Sequence, residues 1–347
     1  MLSRWGAIHH LLRLGLLTPE DLVDGDLVAA EAVSRNRMVR IEPAAGPAFA
    51  IKQPKDAAQP DAATMWTEAA IFWLAANDPQ FAPLAKWMPR FFHYDEPQKV
   101  LTIEFLRPAA SLAEKMFGAG VPPRLAADAG RAFALLHGAV SLASIGAPSR
   151  RLFSALVPWA LTLGLTDNRY FAPTQAAATV LREVMGRPGV AAGIARLRSG
   201  WRTERIVHGD AKAANLLIVG DGSVRVIDWE IAGLGEPLWD VGGVVHSLLV
   251  PNPGAAVEAL EAAQARARPL VEAFWEGYRS GGPAVAPAGP GDPRETVLRM
   301  AGLRIVQTSL ESAHYGTISP GIAGMIDMAA ELIVRPEAAK ERWQWAG

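Results

Sequence analysis

Residues 205–230, RIVHGDAKAANLLIVGDGSVRVIDWE, place short apolar runs on both sides of a dense set of polar side chains. Asp221 and Gly222 separate two of these runs, and Asp-Gly is among the strongest two-residue signals for a β-hairpin turn. With that pair at the turn, the strand register places Asn215 directly opposite Asp228, with Cβ atoms about 5 Å apart. An amide oxygen and a carboxylate at this spacing can share one hard cation, most naturally Mg²⁺. The segment therefore predicts a hairpin that carries a magnesium site.

Asp210 precedes Asn215 by five residues and follows IVHG, a short apolar strand that ends at a glycine. A carboxylate beside a metal site is suited to accept a proton from an attacking hydroxyl. Lys212, two residues further on, is suited to contact a transferring phosphoryl group. Phosphoryl transfer needs mainly positioning and charge neutralisation, and a base, a cation and two metal ligands supply both. The alternative interpretation is ordinary turn chemistry, because Asp and Asn favour loops.

The length and composition limit the classes of protein that the chain can belong to. With 347 residues it is longer than a typical single domain, so two lobes with separate cores are expected. The 34 Lys and Arg residues balance 35 Asp and Glu residues, which predicts neither a nucleic-acid partner nor a membrane partner. Cysteine is absent, which excludes disulfides, thiolate metal sites and a cysteine nucleophile. We expect a cytoplasmic protein, and its oligomeric state stays open.

The pattern of apolar residues changes near Leu106. Before it, strand-like runs and one helix-like run follow in the order β-β-β-α-β-β, which predicts a small antiparallel sheet with one helix. After it, amphipathic helical patterns predominate. We therefore predict an α+β fold with an N-terminal lobe over residues 1–106, which begins with a helical extension over 1–24. A larger, mainly helical C-terminal lobe would cover residues 107–347.

The motifs HGDAKAANLL and VIDWE resemble the catalytic core of aminoglycoside phosphotransferases and choline-kinase-like enzymes, which are relatives of protein kinases. The resemblance runs along residues 25–250 and implies a bilobal protein-kinase-like fold that uses ATP and Mg²⁺. It implies that Asp210 is the catalytic base and that Asn215 and Asp228 are magnesium ligands. It also implies that Asp240, in PLWDVG, braces the catalytic loop, and that His208 supports this loop without acting on substrate.

The N-terminal lobe carries the nucleotide-binding part of the same resemblance. Lys52, in AFAIKQP, corresponds to the lysine on the third strand that contacts the nucleotide phosphates, and Glu68 on the next helix would be its ion-pair partner. The segment LTIEFL resembles the hinge, where backbone groups from about Glu104 to Leu106 would bind the adenine. A solvated strand lysine and a surface helix glutamate are the simpler interpretations of the first two residues.

Two departures from the family pattern affect the predicted site. No Gly-x-Gly-x-x-Gly loop lies between the first two strands, where SRNR occupies residues 34–37. Ser34, Asn36 and backbone N–H groups there are the candidates for phosphate contacts. Lys212 is familiar from serine/threonine protein kinases at this position, and it favours an acceptor hydroxyl that resembles a serine or threonine side chain. An exposed lysine with no catalytic part is the other interpretation.

A late helix, LRIVQTSLESAHYG, presents Arg304, Gln307, Glu311 and His314 at spacings of three and four residues. Such a polar stripe is typical of a solvent-facing helix surface. C-terminal helices help to form the acceptor pocket in the related kinases, so we also consider that Glu311 and His314 contact the substrate.

Four functions remain open from the sequence. The first is an ATP- and Mg²⁺-dependent kinase that phosphorylates a hydroxyl of a small molecule. The second is a kinase that phosphorylates Ser or Thr of a peptide during the biosynthesis of a modified-peptide natural product, which Lys212 favours. The third is a pseudokinase that binds nucleotide or a partner without turnover. A metallohydrolase that uses His208 and Asp210 is weaker, because no further ligands lie at suitable spacing.

Overall fold

The structure, a computed structural model, describes residues 3–23, 25–32, 36–55, 61–117, 120–139, 152–165, 174–250, 257–282, 291–315, 321–343 and 345. The chain forms two compact units, Met1–Ala110 with Leu217–Ala232 and Ser111–Leu216 with Gly233–Gly347. The predicted boundary after Leu106 lies close to the end of the first segment at Ala110. The hairpin segment, Leu217–Ala232, belongs by its contacts to the first unit. The prediction of a single boundary assigned this segment to the C-terminal lobe.

The first unit contains a five-stranded antiparallel sheet with the strand order β1-β2-β3-β5-β4. Its elements are α1 (Arg4–Arg13), α2 (Pro19–Val23), β1 (Val28–Ala32), β2 (Arg37–Glu42), β3 (Phe49–Gln53), α3 (Asp61–Asn77), a 3-10 helix (Ala82–Trp87), β4 (Phe91–Asp95) and β5 (Val100–Glu104). The order of strands and helix agrees with the predicted β-β-β-α-β-β pattern.

The N-terminal helix covers one face of this sheet. Ser3 caps α1 by accepting a hydrogen bond from Gly6 N–H at 3.1 Å, which satisfies one of the free donors at the helix start. One apolar cluster joins the helix to the strands and contains Ala7, Ile8, Leu11, Leu17, Val39, Ile41, Phe49, Ile51 and Val100. The alternating apolar positions of β2 and β3 thus account for where the extension packs.

The second unit is mainly helical, as predicted. Its elements are α4 (Leu112–Phe117), α5 (Pro123–Ala139), a 3-10 helix (Trp159–Thr162), α6 (Gln175–Gly186), α7 (Val190–Ser199), β7 (Arg205–Val207), a 3-10 helix (Ala213–Asn215), β10 (Gly233–Gly235), α8 (Pro237–Leu249), α9 (Val257–Ser280), α10 (Pro293–His314), α11 (Ile322–Val334) and α12 (Pro336–Arg342). Strands β7 and β10 pair antiparallel, with Ile206 opposite Leu234. The sequence of β10, GLG, carries no strand signal, so this pairing is decided by tertiary contacts.

Among the described residues, no helix has both the length and the apolar character to cross a membrane.

The hairpin forms with a longer loop than predicted. Strands β8 (Leu216–Val219) and β9 (Val224–Val226) belong to a small sheet with β6 (Ala109–Ser111), in the order β6-β8-β9. The N–H of Val219 donates to the carbonyl of Ser223 at 3.0 Å, and the N–H of Gly222 donates to the carbonyl of Val219 at 2.8 Å. Gly222 has a φ of 77°, the left-handed conformation of the bulge residue in a three-residue hairpin loop.

The predicted direct opposition of Asn215 and Asp228 is therefore wrong. Val219 pairs with Ser223 and not with Val224, so the register is shifted by one residue. Neither residue lies in a strand of the hairpin. Asn215 lies in the 3-10 helix that precedes β8, and Asp228 lies two residues beyond the end of β9. The bulge accounts for the shift. Gly220 lies in the three-residue loop, whereas a two-residue turn would have left it paired with Ser223.

Helices α5 and α9 pack through glycines that let their backbones approach closely. A Cβ atom added at Gly277 would lie 2.0 Å from the backbone oxygen of Ala127, and one added at Gly130 would lie 2.1 Å from the oxygen of Phe274. No side chain fits at either position unless the helices separate.

Gly277→Ala is expected to lower the free energy of unfolding by about 1–3 kcal/mol, because the helices must move apart to admit the methyl group. Chemical denaturation followed by circular dichroism measures this loss. The matched control is Gly186→Ala, where an added Cβ meets nothing within 4 Å and the stability should change little. Equal stability of the two variants would contradict the close packing of α5 and α9.

Candidate active-site residues

The predicted catalytic loop, residues 208–215, is held by the buried carboxylate of Asp240, which belongs to the same unit. Asp240 lies in the first turn of α8 and is fully buried. Its carboxylate accepts the N–H of His208 at 2.6 Å and the N–H of Gly209 at 2.9 Å. The ring of His208 is also fully buried, and its Nδ1 accepts the N–H of Asp210 at 3.3 Å. These contacts give both residues the geometry of the bracing role that the resemblance implies.

Sequence reasoning missed the other partners of Asp240. The imidazole Nε2 of His137, on α5, lies 3.0 Å from the Asp240 carboxylate, and its Nδ1 lies 3.0 Å from the hydroxyl of Tyr278 on α9. All three side chains are buried. The signal in the sequence was a histidine on the apolar stripe of an amphipathic helix, which predicts burial but names no partner.

The carboxylate of Asp210 lies between two cations. Arg304 Nη2 donates to Oδ1 at 2.8 Å, and Lys212 Nζ donates to Oδ2 at 2.5 Å. Burial raises the pKa of Asp210, but the charges and hydrogen bonds of Arg304 and then Lys212 outweigh burial and hold this pKa at about 2. Asp210 is therefore ionised at neutral pH and accepts hydrogen bonds through both oxygens.

Asn215 is held at the end of the same loop. Its Nδ2 donates to the backbone oxygen of Asp210 at 2.9 Å. The N–H of Ala213, at the start of the 3-10 helix, donates to Ser247 Oγ at 2.7 Å, which ties the turn to α8. Because the amide nitrogen of Asn215 donates to Asp210, the Oδ1 atom of Asn215 is the group that can bind a cation or accept a hydrogen bond from a ligand.

In the first unit, Lys52 and Glu68 form the ion pair that the resemblance implies. Lys52 Nζ and Glu68 Oε1 are 2.7 Å apart, and the Glu68 side chain is completely buried. Burial lowers the pKa of Lys52, but the carboxylates of Glu68 and then Asp228 outweigh burial and raise it. The lysine is therefore a charged group that is fixed by Glu68 and only 16% exposed, and this excludes the simple solvated lysine.

Asp228 has a φ of 68° and is one of two described residues other than glycine with a positive φ. Left-handed backbone conformations are uncommon for residues other than glycine, although aspartate adopts them more readily than most, and they concentrate at functional sites. Its carboxylate and the Oδ1 of Asn215 are hard oxygen donors, which is the ligand type that Mg²⁺ prefers. The chemistry of both residues thus fits the metal that the resemblance implies. Among the described residues, no group of three or more His, Asp or Glu gathers in a way that could hold a metal ion.

The remaining described candidates for nucleotide binding lie at the start of β2 and at the end of β5, which are interior strands of the five-stranded sheet. Asn36 is buried, and its Nδ2 donates to Glu230 Oε2 at 3.1 Å, whereas Ser34 lies outside the described residues. Glu104 binds the backbone of Arg90 twice, through its own N–H at 2.8 Å and through a side-chain oxygen at 3.1 Å. Its side chain therefore binds the backbone directly before β4. Leu106 is half-buried and lies two residues after the end of β5.

Comparison with known proteins decides the family. The model of the phosphotransferase enzyme family (APH) matches residues 26–278. The chain belongs to this family. It is therefore a phosphotransferase, and the predicted resemblance and enzyme class are confirmed. A search among curated protein sequences gave no match.

Solved structures confirm the fold class of this phosphotransferase. A choline/ethanolamine kinase family protein from Mesorhizobium loti is 18% identical, with 98% of this chain and 99% of that chain covered and a TM-score of 0.54. The aminoglycoside phosphotransferase APH(2'')-Ib, in its ADP-bound form, is 16% identical, with coverages of 94% and 98% and a TM-score of 0.54. Choline kinase LicA from Streptococcus pneumoniae is 12% identical, with coverages of 94% and 99% and a TM-score of 0.52. Similarity at these identities shows the fold alone, the protein-kinase-like fold that the sequence predicted.

The polar stripe of the late helix divides into two parts in the structure of the phosphotransferase. Glu311 and His314 are exposed, and Glu311 Oε1 accepts a hydrogen bond from Gln307 at 2.9 Å. Arg304 is instead buried, and it is the stripe residue that contacts Asp210. A solvent-facing stripe is therefore wrong for Arg304, whose spacing alone gave no sign of burial. Substrate contact by Glu311 and His314 stays a prediction.

Proposed function

We propose that this phosphotransferase is an ATP- and Mg²⁺-dependent kinase that acts in the cytoplasm. It transfers the γ-phosphoryl group of ATP to a hydroxyl of a small molecule. The observation that carries the proposal is the braced 208–215 loop, in which Asp210 is ionised and Asn215 is bonded back to it. A fixed carboxylate with an amide five residues later is the arrangement that kinases use to position an acceptor and a metal.

Each residue has a defined part in this proposal. Asp210 orients the acceptor hydroxyl and receives its proton as the new phosphate ester bond forms and the bond between the γ-phosphorus and the oxygen of the leaving ADP breaks. Lys212 neutralises charge on the transferring group, since its side chain is more than a third exposed and can turn away from Asp210. His208 and Asp240 hold the loop in place.

The nucleotide and metal are assigned to the remaining candidates. Lys52, fixed by Glu68, binds the nucleotide phosphates, and backbone groups from Glu104 to Leu106 bind the adenine. Asn215 and Asp228 provide the magnesium ligands. Bound Mg²⁺ would neutralise phosphate oxygens, which is the chemistry that it supplies to phosphoryl transfer. Two of the similar structures, the ADP-bound aminoglycoside phosphotransferase and LicA with AMP, contain adenine nucleotides, which supports an adenine nucleotide as the donor here.

A peptide kinase is the second candidate function. The contact between Lys212 and Asp210 favours it, because a lysine at this position resembles the serine/threonine protein kinases. An ADP-release assay with matched acceptors separates the two functions. Amino alcohols, sugars and aminoglycosides form one set, and Ser- or Thr-containing peptides form the other. Release of ADP that depends on the peptides alone would replace the small-molecule proposal.

The first test is thermal stability with ATP, with and without Mg²⁺. ATP at about a hundred times its Kd should add roughly 2.7 kcal/mol of stability, which gives a measurable shift of the unfolding temperature. We expect the full shift to require both Mg²⁺ and the Asp228 carboxylate, so Asp228→Ala should lose the magnesium-dependent part. The absence of a shift at high ATP would contradict a nucleotide-dependent kinase. A shift without turnover of any acceptor would favour the pseudokinase.

A further inference from the structure

Arg304 is a buried cation whose position the proposed reaction does not yet explain. It lies on α10, is 6% exposed, and donates from Nη2 to Asp210 Oδ1 at 2.8 Å. Its Nε has no hydrogen-bond partner among the described residues. Burial of a charged group with an unsatisfied N–H costs stability, so packing alone does not account for an arginine here.

The guanidinium of Arg304 is fixed by an aromatic ring that itself belongs to the support of the loop. Its Cζ lies 5.0 Å from the ring centroid of Trp239, within the range of a cation–π interaction. Trp239 is buried, and its Nε1 donates to the backbone oxygen of Gly209 at 2.9 Å. The neighbouring Asp240 binds the N–H groups of the same loop. The first turn of α8 therefore holds both the loop and the arginine that contacts it.

The two cations at Asp210 differ in how firmly they are held. The Lys212 side chain is 37% exposed and has a flexible stem, whereas the Arg304 side chain is 7% exposed. The planar guanidinium of arginine is also pre-organised, so less conformational freedom is lost when its hydrogen bond forms. When Lys212 turns towards a phosphoryl group, Arg304 keeps its contact with Oδ1. The torsion that orients an aspartate carboxylate is broad, so such a contact decides which way the free oxygen points.

We propose that Arg304 is a positioning residue that holds the Asp210 carboxylate in the orientation that receives the acceptor hydroxyl. Helix α10 thereby sets the geometry of the transfer step, although no part of it lies within the 208–215 loop. This inference rests on the proposed function of Asp210 and adds a residue to it.

The test compares Arg304→Met and Arg304→Lys with the wild-type enzyme, using the acceptor that releases most ADP in the panel. We expect Arg304→Met to lower kcat by about 100-fold, because small displacements of a reacting group have effects of that size. The acceptor KM and the Kd for ATP with Mg²⁺ should change by less than about threefold, since Arg304 serves the transfer step and not binding. Arg304→Lys should recover part of the lost kcat, because it restores the charge but not the planar fork.

Arg294→Met is the matched control in the same helix. Arg294 Nη2 pairs with Asp292 Oδ2 at 2.7 Å at the start of α10. This variant removes an arginine–aspartate pair from the same helix without touching Asp210, so it should keep wild-type kcat. The inference is overturned if folded Arg304→Met keeps kcat within about threefold of wild type, or if Arg294→Met loses kcat to the same extent. A loss of nucleotide affinity that accounts for the lost turnover would overturn it as well.

Amide hydrogen exchange provides a readout that needs no acceptor. In Arg304→Met, peptides that cover the 208–215 loop should exchange faster than in wild type, and in Arg294→Met they should not. Unchanged exchange in Arg304→Met would overturn the positioning role. Failure of the proposed function is recognised separately, because the wild-type enzyme would then show neither a magnesium-dependent ATP shift nor phosphoryl transfer.

Discussion

Asp210→Asn should lower kcat by about 10²–10⁴-fold, the usual contribution of a positioned general base. The amide has the shape of the carboxylate but cannot take the acceptor proton, and it removes the negative charge that Arg304 and Lys212 contact. The Kd for ATP with Mg²⁺ should stay nearly unchanged, because Asp210 is not assigned to the nucleotide. Steady-state kinetics and thermal shifts on one protein preparation measure both quantities.

The control for this prediction is Asp221→Asn in the hairpin loop. Asp221 is exposed and accepts the N–H of Ser223 at 2.8 Å, so its replacement tests the loss of a carboxylate from the same segment without touching the 208–215 loop. Wild-type turnover is expected for this variant. Undiminished turnover of Asp210→Asn would remove Asp210 from its assigned role.

The second large effect concerns stability. Asp240→Ala should lower the free energy of unfolding by about 3–5 kcal/mol, because a buried group that loses its charged partner is strongly destabilising. The substitution leaves the N–H groups of His208 and Gly209 and the ring of His137 without their common acceptor. Turnover should fall with stability, since the loop that holds Asp210 loses its support. Chemical denaturation gives the loss, and the activity of the folded fraction gives the kinetic effect.

Asp327→Ala is the control for burial. Asp327 Oδ1 pairs with Arg187 at 2.7 Å, but its side chain is 64% exposed. Exposed ion pairs contribute about 0–1 kcal/mol, so this variant should unfold nearly like the wild-type protein. If the two variants lost similar stability, the buried network around Asp240 would not be what holds the loop.

The local parts of the site could be predicted from the sequence. The hairpin follows from Asp-Gly between apolar runs, and the five-stranded sheet follows from strand-like runs with turns between them. The motif spacing led to Asp210, Asn215 and the family. The exact register failed, because a glycine in a left-handed conformation adds one residue to the loop and the turn dipeptide alone does not reveal this.

Lys52 and Glu68 show the limit of reasoning from spacing. Their pairing came only from the resemblance, since nothing in the helix pattern distinguishes a buried glutamate from an exposed one. The structure buries the glutamate completely and places it 2.7 Å from the lysine. Burial depends on which face of α3 packs on the sheet, and only the assembled unit settles that.

The surroundings of the Asp210 carboxylate were decided by the tertiary structure. Arg304 reaches Asp210 across 94 residues of sequence, and His137 reaches Asp240 across 103. A local pattern reports hydrophobic periodicity and turn chemistry, which act within a few neighbouring residues. The partner of a buried charge depends on how helices far apart in the chain pack together. The sequence by itself therefore determined most of the elements and led to the family and to the side chains proposed to react, whereas the packing of α5, α8 and α10 determined what holds Asp210 and its loop in position.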